Sequence, residues 1–355
     1  MPKKKKTLKQ ALKGKTLKRP TVWKGPESND PQGGITQSLL AGYICCKERF
    51  RLLTVLGLKP ADEFSHALQY GNMWHLCEEV FSGGGDWQKQ LLAFAKELRD
   101  QYPMQQQEVE KWYQVCKVQF STYVNHWEEE NDVEELLQEE AFCVPYTLPS
   151  GRVVYLRGKW DSAYKEGVRK VVLKENKTKG LIKEEQIEKQ LTFDLQTMLY
   201  VIALRSRYDK VGQVLYNVVR RPLAGGKHSI RQHKPTKKNP KGESSKDYYA
   251  RLKGCIEEDT DYFFLRWKVN ITKTDMKVYE ETFLQPCLEE LCNWWDLVCP
   301  EREAKPSMVQ NYRTPFGIWN PLFEGRSTSL DNYLQTGDDL GLQYTDQLFP
   351  ELQDV

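Results

Sequence analysis

The sequence has no apolar run near the roughly 18 residues that a membrane-spanning helix requires. Its first stretch, Met1 to Arg19, lacks the apolar segment of a secretory signal. Both absences point away from membrane insertion and export. There is no G-x-x-x-x-G-K-[ST] phosphate loop, so nucleotide hydrolysis by that route is excluded. The nine cysteines are odd in number and scattered, which suits a reducing compartment better than a disulfide framework. Acids are missing from residues 1–26, which hold ten Lys/Arg; the rest of the chain carries 42 basic and 49 acidic residues. The body is therefore mildly acidic, and positive charge is gathered in patches that suit local contact with a polyanion.

At 355 residues the chain can bury a large core. Residues 1–33 read as a basic, low-complexity arm with too few apolar residues to pack. Lys3 to Lys6 and the lysines after them make it either a phosphate-binding tether or a solubilising tail. Residues 34–140 read as a helical part. It starts with an amphipathic helix through Cys46 and continues with Phe64 to Phe81. There Gly71, His75 and Glu79 are spaced by four and share a helical face. Lys96 to Trp127 reads as helical scaffold, with Trp112, Tyr113, Phe120 and Tyr123 in the core. Residues 141–320 read as a sheet-bearing core. Ala141 to Leu148 is its first strand, and Gly212 to Arg220 is a buried one. The last 35 residues, 321–355, hold seven acids and one arginine and read as an irregular tail.

The most informative stretch runs from Gly158 to Tyr200. A turn at Ser150-Gly151 opens a strand through Tyr164. Lys165-Glu166-Gly167 is a turn, and Val168 to Lys177 is a second strand. Asp161 and Glu175 thus fall on the two arms of one hairpin, close to register. On the second arm Val171, Leu173, Glu175 and Lys177 alternate onto one face, so an apolar stripe runs straight into a carboxylate and an ammonium. An isolated E-x-K would be a solvated strand end. Here a second acid converges on it, as a divalent cation requires. A helix follows, with an apolar stripe of Ile187, Leu191, Leu195, Met198 and Ile202. Gln196 and Tyr200 stand four apart beside that stripe.

A hairpin with D…E-x-K followed by a helix with Q-x-x-x-Y resembles the PD-(D/E)XK nuclease superfamily, and within it the RecB-like, phage-type exonuclease branch. The resemblance extends over roughly residues 35–320. It implies an α/β, restriction-endonuclease-like core, a mixed central sheet flanked by helices, with an N-terminal helical elaboration. It implies metal-dependent hydrolysis of DNA phosphodiesters to 5′-phosphate and 3′-hydroxyl ends. In that reading Asp161 and Glu175 hold Mg²⁺ or Mn²⁺, His75 adds a nitrogen ligand, and the carbonyl of Asn176 a further oxygen. Lys177 orients or deprotonates the attacking water, or offsets transition-state charge. Gln196 and Tyr200 position the scissile region or the lysine.

The resemblance also implies a cytoplasmic setting, in a bacterium or a phage-infected host, and a helicase or single-strand-binding partner. The basic, Gly/Pro/Ser-rich loop from Arg220 to Lys246 leaves a core strand and could track a nucleic-acid backbone. Its candidate contacts are Arg220, Arg221, Lys227, Arg231, Lys237 and Lys238. Many relatives hold a four-iron cluster with one early and three late cysteines. Cys46 matches the early one, but Cys287, Cys292 and Cys299 scatter around one helix, so an iron–sulfur cluster is not expected. Gln347-Leu348-Phe349 is faintly like a sliding-clamp peptide. The competing functional reading is a protein of the same fold that binds nucleic acid without cutting it.

Overall fold

The structure is a computed structural model. It describes residues 21–45, 47–60, 64–127, 134–167, 170–182, 184, 191, 193–222, 232–237, 240–298, 313–314, 317–318 and 341–352. Cys46, Ile187, Lys227, Arg231, Lys238, Cys299 and the basic stretch 1–20 lie outside the described residues.

The chain begins its main body with α1 (Gln37–Cys45) and a short strand β1 (Leu58–Pro60). Three helices follow: α2 (His66–Ser82), α3 (Trp87–Gln101) and α4 (Gln106–His126). Then come β2 (Glu134–Thr147), β3 (Val153–Glu166) and β4 (Lys170–Lys179). Helix α5 (Leu195–Arg205) crosses over to β5 (Val211–Arg220). After α6 (Ser245–Glu258), strand β6 (Phe264–Asn270) completes the sheet. Helices α7 (Lys273–Tyr279) and α8 (Gln285–Val298) are joined by a wide turn of helix, and β7 (Leu342–Tyr344) pairs back with β1.

The central sheet has five strands in the order β2-β3-β4-β5-β6. Only the β4–β5 pair is parallel; the others are antiparallel, so the sheet is mixed as expected. Alternation along β5 shows why both faces are covered. Val214, Tyr216 and Val218 pack with α1, α5, α7 and α8, whereas Val219 packs with α2, α4 and α6. A strand apolar on both faces is what a buried position demands.

Several sequence expectations need correction. Residues 34–140 are not a helical part throughout, because α4 ends at His126 and β2 starts at Glu134, well before Ala141. The acidic residues Glu134 to Glu140 belong to a strand. The first stretch of the expected arm that is described, residues 21–33, is packed. Trp23 is fully buried, donates to the Gly34 carbonyl at 2.9 Å and meets Trp295 edge-on at 4.8 Å. The expected tail is packed as well across 341–352. Phe349 and Leu352 sit in the main core, so Phe349 is not presented as a peptide anchor. Trp112, Tyr113, Phe120 and Tyr123 are buried in the helical layer, as read from the sequence.

Candidate active site

The hairpin register is Ser162 opposite Lys174 and Ala163 opposite Leu173, which sets Asp161 across from Glu175. Beyond Lys174 the ladder between β3 and β4 stops. The Asp161 carboxylate takes over, its Oδ2 accepting the Asn176 backbone N–H at 2.7 Å. A side chain thus takes the place of a ladder bond.

The same point is irregular in β2. Trp160 and Ala163 both enter the core on the α5 side although they are three apart, and so do Leu137 and Phe142, five apart. Regular alternation cannot give an odd spacing on one face. Both strands therefore switch phase between these pairs. In β2, Glu139 has φ of 45°, the left-handed region that a branched or long side chain enters at a cost. Register counting from Gln138–Ser162 and Glu140–Trp160 places Glu139 opposite Asp161.

This double irregularity brings Glu139 into the site. Ligand atoms of His75, Glu139 and Asp161 all lie within 4.8 Å of one another. His75 comes from α2, laid across the sheet where Gly71 passes close to Thr178; a methyl group on Gly71 would sit 3.3 Å from the Thr178 hydroxyl. His75 and Asp161, two of the ligands that the resemblance implied, are brought together here. Glu139 was not anticipated.

Glu175 stands beside this trio. It is 1 % exposed, and its Oε1 accepts from Lys177 Nζ at 2.7 Å and Gln196 Nε2 at 2.6 Å. Lys177 also donates to Gln196 Oε1 at 2.6 Å, which closes a three-membered ring of polar groups. Glu175 Oε2 is buried and has no hydrogen-bond partner. A buried carboxylate oxygen left bare is costly, and a cation is the natural group to satisfy it. One imidazole and carboxylate oxygens form a donor set suited to a divalent ion of the Mg²⁺ or Mn²⁺ type. The residues present fit a metal.

Helix α5 carries the remaining groups. Asp194 caps it, accepting from the Thr197 N–H at 3.1 Å, and this start fixes the first-turn position of Gln196. Of the stripe residues before Leu195, Ile187 lies outside the described residues and Leu191 is buried in the main core. Tyr200 lies one turn on and hydrogen-bonds Gln196 and the Lys159 backbone. Gly158 makes this possible, since a Cβ there would meet the Tyr200 and Phe142 rings at 2.7 Å. Tyr200, Gln196, Glu175 and Lys177 are thus one connected set.

Burial pushes the Glu175 carboxyl up to about 7 against the pull of Lys177, with the Asp161 charge adding to the rise. Burial likewise pushes Asp161 up to about 7, opposed by the Asn176 N–H and raised further by Glu139. Burial works to lower Lys177, but the charge and hydrogen bond of Glu175 outweigh it and hold the ammonium above its ordinary range. The Lys159 ammonium lies 2.8 Å from Glu139 and 3.8 Å from Glu79, a partial counterweight to the acids.

Asn176 turns its side chain to the other face of the sheet. Its Oδ1 accepts from Asn217 Nδ2 at 2.8 Å, and Asn217 also reaches Tyr123 at 2.6 Å and Glu78 at 3.3 Å. Glu78 is buried, accepts from Trp74 Nε1 at 3.1 Å and pairs with Lys174 at 3.7 Å. This network fastens α2 and α4 to the strands that carry the site.

Of the loop residues expected to bind nucleic acid, Arg220 is a packing residue. It is buried, donates to the Tyr262 carbonyl at 2.8 Å, stacks on the Tyr262 ring at 4.0 Å and pairs with Glu184. Strand β5 ends beside the Thr260–Phe263 turn, and the guanidinium closes that gap. Lys237 is exposed. Arg221 lies over the Trp112 ring at 5.3 Å.

A family model described as the PD-(D/E)XK nuclease superfamily matches residues 35–296. Among solved structures, one described as the crystal structure of SSO0001 is similar over 58 % of this chain and 81 % of its own, at 11 % identity and a TM-score of 0.25. No curated protein matches. No helix among the described residues is long and apolar enough to cross a membrane.

Proposed function

Because the chain belongs to the PD-(D/E)XK nuclease superfamily, we propose that it is a metal-dependent DNA exonuclease of the RecB-like branch. It would leave 5′-phosphate and 3′-hydroxyl ends, in recombination, repair or phage DNA processing. The observation that carries this reading is the meeting of His75, Glu139 and Asp161 beside the Glu175–Lys177–Gln196 ring.

His75, Asp161, Glu139 and the bare oxygen of Glu175 would hold Mg²⁺ or Mn²⁺. When bound, such an ion acidifies a coordinated water and offsets charge on the phosphorane. Lys177 keeps its proton at neutral pH, so it acts as a cation that steers the water and screens the developing negative charge. It is not suited to be the base. Gln196 pins both Lys177 and Glu175, and Tyr200 pins Gln196. These two are positioning residues.

The test is release of acid-soluble nucleotides from end-labelled linear DNA and from a closed circle of the same sequence, with Mn²⁺ or Mg²⁺. Degradation of the linear substrate alone is expected, with Lys177→Ala slower by about a hundredfold or more, the range of one electrostatic contact in a water-excluded site. Cleavage of the circle would reject end dependence. Equal rates for parent and Lys177→Ala would reject the site.

A further inference from the structure

Beyond the metal site, a second cationic cluster surrounds one indole ring. Trp112 on α4 has the Lys111 ammonium 4.7 Å and the Arg221 guanidinium 5.3 Å from its ring centroid, with the His66 ring at 5.9 Å. Three elements meet there: the start of α2, the middle of α4 and the residue after β5. Their sequence positions give no hint that they converge.

Neither cation is spent on an acid. Lys111 and Arg221 form no ion pair with any carboxylate among the described residues, although Glu108 is near enough for its charge to be felt by Lys111. Burial and the charge of Arg221 depress the lysine. Arg221 Nη1 is shut off from water with no hydrogen-bond partner. His66 accepts the Trp112 Nε1–H on Nδ1 at 2.9 Å. In the neutral ring this fixes the proton on Nε2, which becomes a third donor. Two like charges crowded over one ring, with a donor alongside, make a site that gains most from an anion.

The cluster is tied to the site already described. Arg221 follows β5, whose parallel register sets Lys177 beside Val218 and Lys179 beside Arg220, and its N–H donates to the Lys179 carbonyl at 2.8 Å. His66 and His75 both lie on α2, nine residues or about 14 Å apart along the helix axis. A B-form strand covers that span in about four nucleotides at roughly 3.4 Å each, and an extended single strand in fewer.

We propose that Lys111, Arg221 and His66 around Trp112 form a subsite for a backbone phosphate of the DNA strand, a few nucleotides from the bond that is cut. The proposal rests on the nuclease reading for the identity of the strand. Its test does not require cleavage.

The full chain is mixed in EDTA with a fluorescein-labelled twelve-nucleotide single strand, and separately with a labelled dinucleotide, and anisotropy is followed against salt. Lys111→Ala is expected to weaken the longer ligand on the order of fivefold and to reduce the log Kd against log salt slope by about one charge. Lys111→Arg should restore both, and the dinucleotide should bind all proteins equally. Thermal melting checks that the variants are folded. Unchanged affinity and slope for the longer ligand in both Lys111→Ala and Arg221→Gln overturn the subsite. So does a melting temperature raised by millimolar inorganic phosphate in the parent but not in Lys111→Ala, with strand affinity the same in both, which would assign the cluster to a free anion. If the slope falls as expected but the parent cuts no DNA with any metal, the subsite stands and the nuclease reading fails.

Discussion

Glu139 bears the sharpest local conflict in the site, because its backbone sits where glycine is at ease and its side chain is held by Lys159. Replacement by glycine removes the carboxylate and the strain together; replacement by alanine removes only the carboxylate. Glu139→Gly should therefore melt higher than Glu139→Ala by an amount equivalent to about 1 kcal/mol. Both should bind Mn²⁺ more weakly than the parent by calorimetry. Sequence periodicity could not reveal Glu139, since an acidic run before an apolar strand looks like surface. The turn at Ser150-Gly151 could have: counting equal distances back and forward from it pairs Glu139 with Asp161. The two acids pushed up to about 7 also make a pH prediction. Their unfolded values are about 4, so each stabilises the metal-free fold below that pH, and the contribution is lost as pH rises toward 7. The melting advantage of the parent over Asp161→Asn should shrink from pH 5 to pH 8. An advantage that grows over this range would contradict the burial argument.

Helix α2 is tied to β4 through the Glu78–Lys174 pair, whose carboxylate is buried and whose ammonium is 21 % exposed. Removing one partner of such a pair strands the other charge, at a cost of about 3–5 kcal/mol. Glu78→Ala should lower the urea midpoint accordingly, while Glu78→Gln, which can still accept from Trp74 and Asn217, should cost less. At α5 the Asp194 cap is worth about 1 kcal/mol. Its loss should also slow cleavage with little change in DNA affinity, because Gln196 then no longer holds Lys177 in line. The hairpin and the Gln–Tyr helix were legible because alternation, turn residues and i, i+4 spacing are local signals. The start of β2 was not. The residues Glu134 to Glu140 do not alternate, and what makes them a strand is pairing with β3 across the turn.

At the scale of the molecule, the mixed sheet between two helical layers follows from strands that are apolar on both faces. The placement of residues 21–33 and 341–352 was hidden, because their anchors are single aromatics, Trp23 and Phe349, in otherwise polar surroundings. Aromatic partners far along the chain decide such cases: Trp23 meets Phe50 at 5.3 Å and Trp295 at 4.8 Å. Trp23→Ala should cost about 3–5 kcal/mol, as large aromatic truncations in cores do, and should abolish a cooperative melt if the net stability is near the lower end of the usual range.

One consequence follows from where His75 originates. The acids stand on strands, whereas the imidazole arrives on a helix from the opposite layer, so an ion gripped by both acts as a rivet through the two. Saturating Mn²⁺ at about a hundred times its Kd would add about 2.7 kcal/mol against global opening. Hydrogen exchange at the backbone amides of α2 and β3, read by mass spectrometry, should slow in step with occupancy. In His75→Ala that protection should vanish even where the carboxylates still bind the ion.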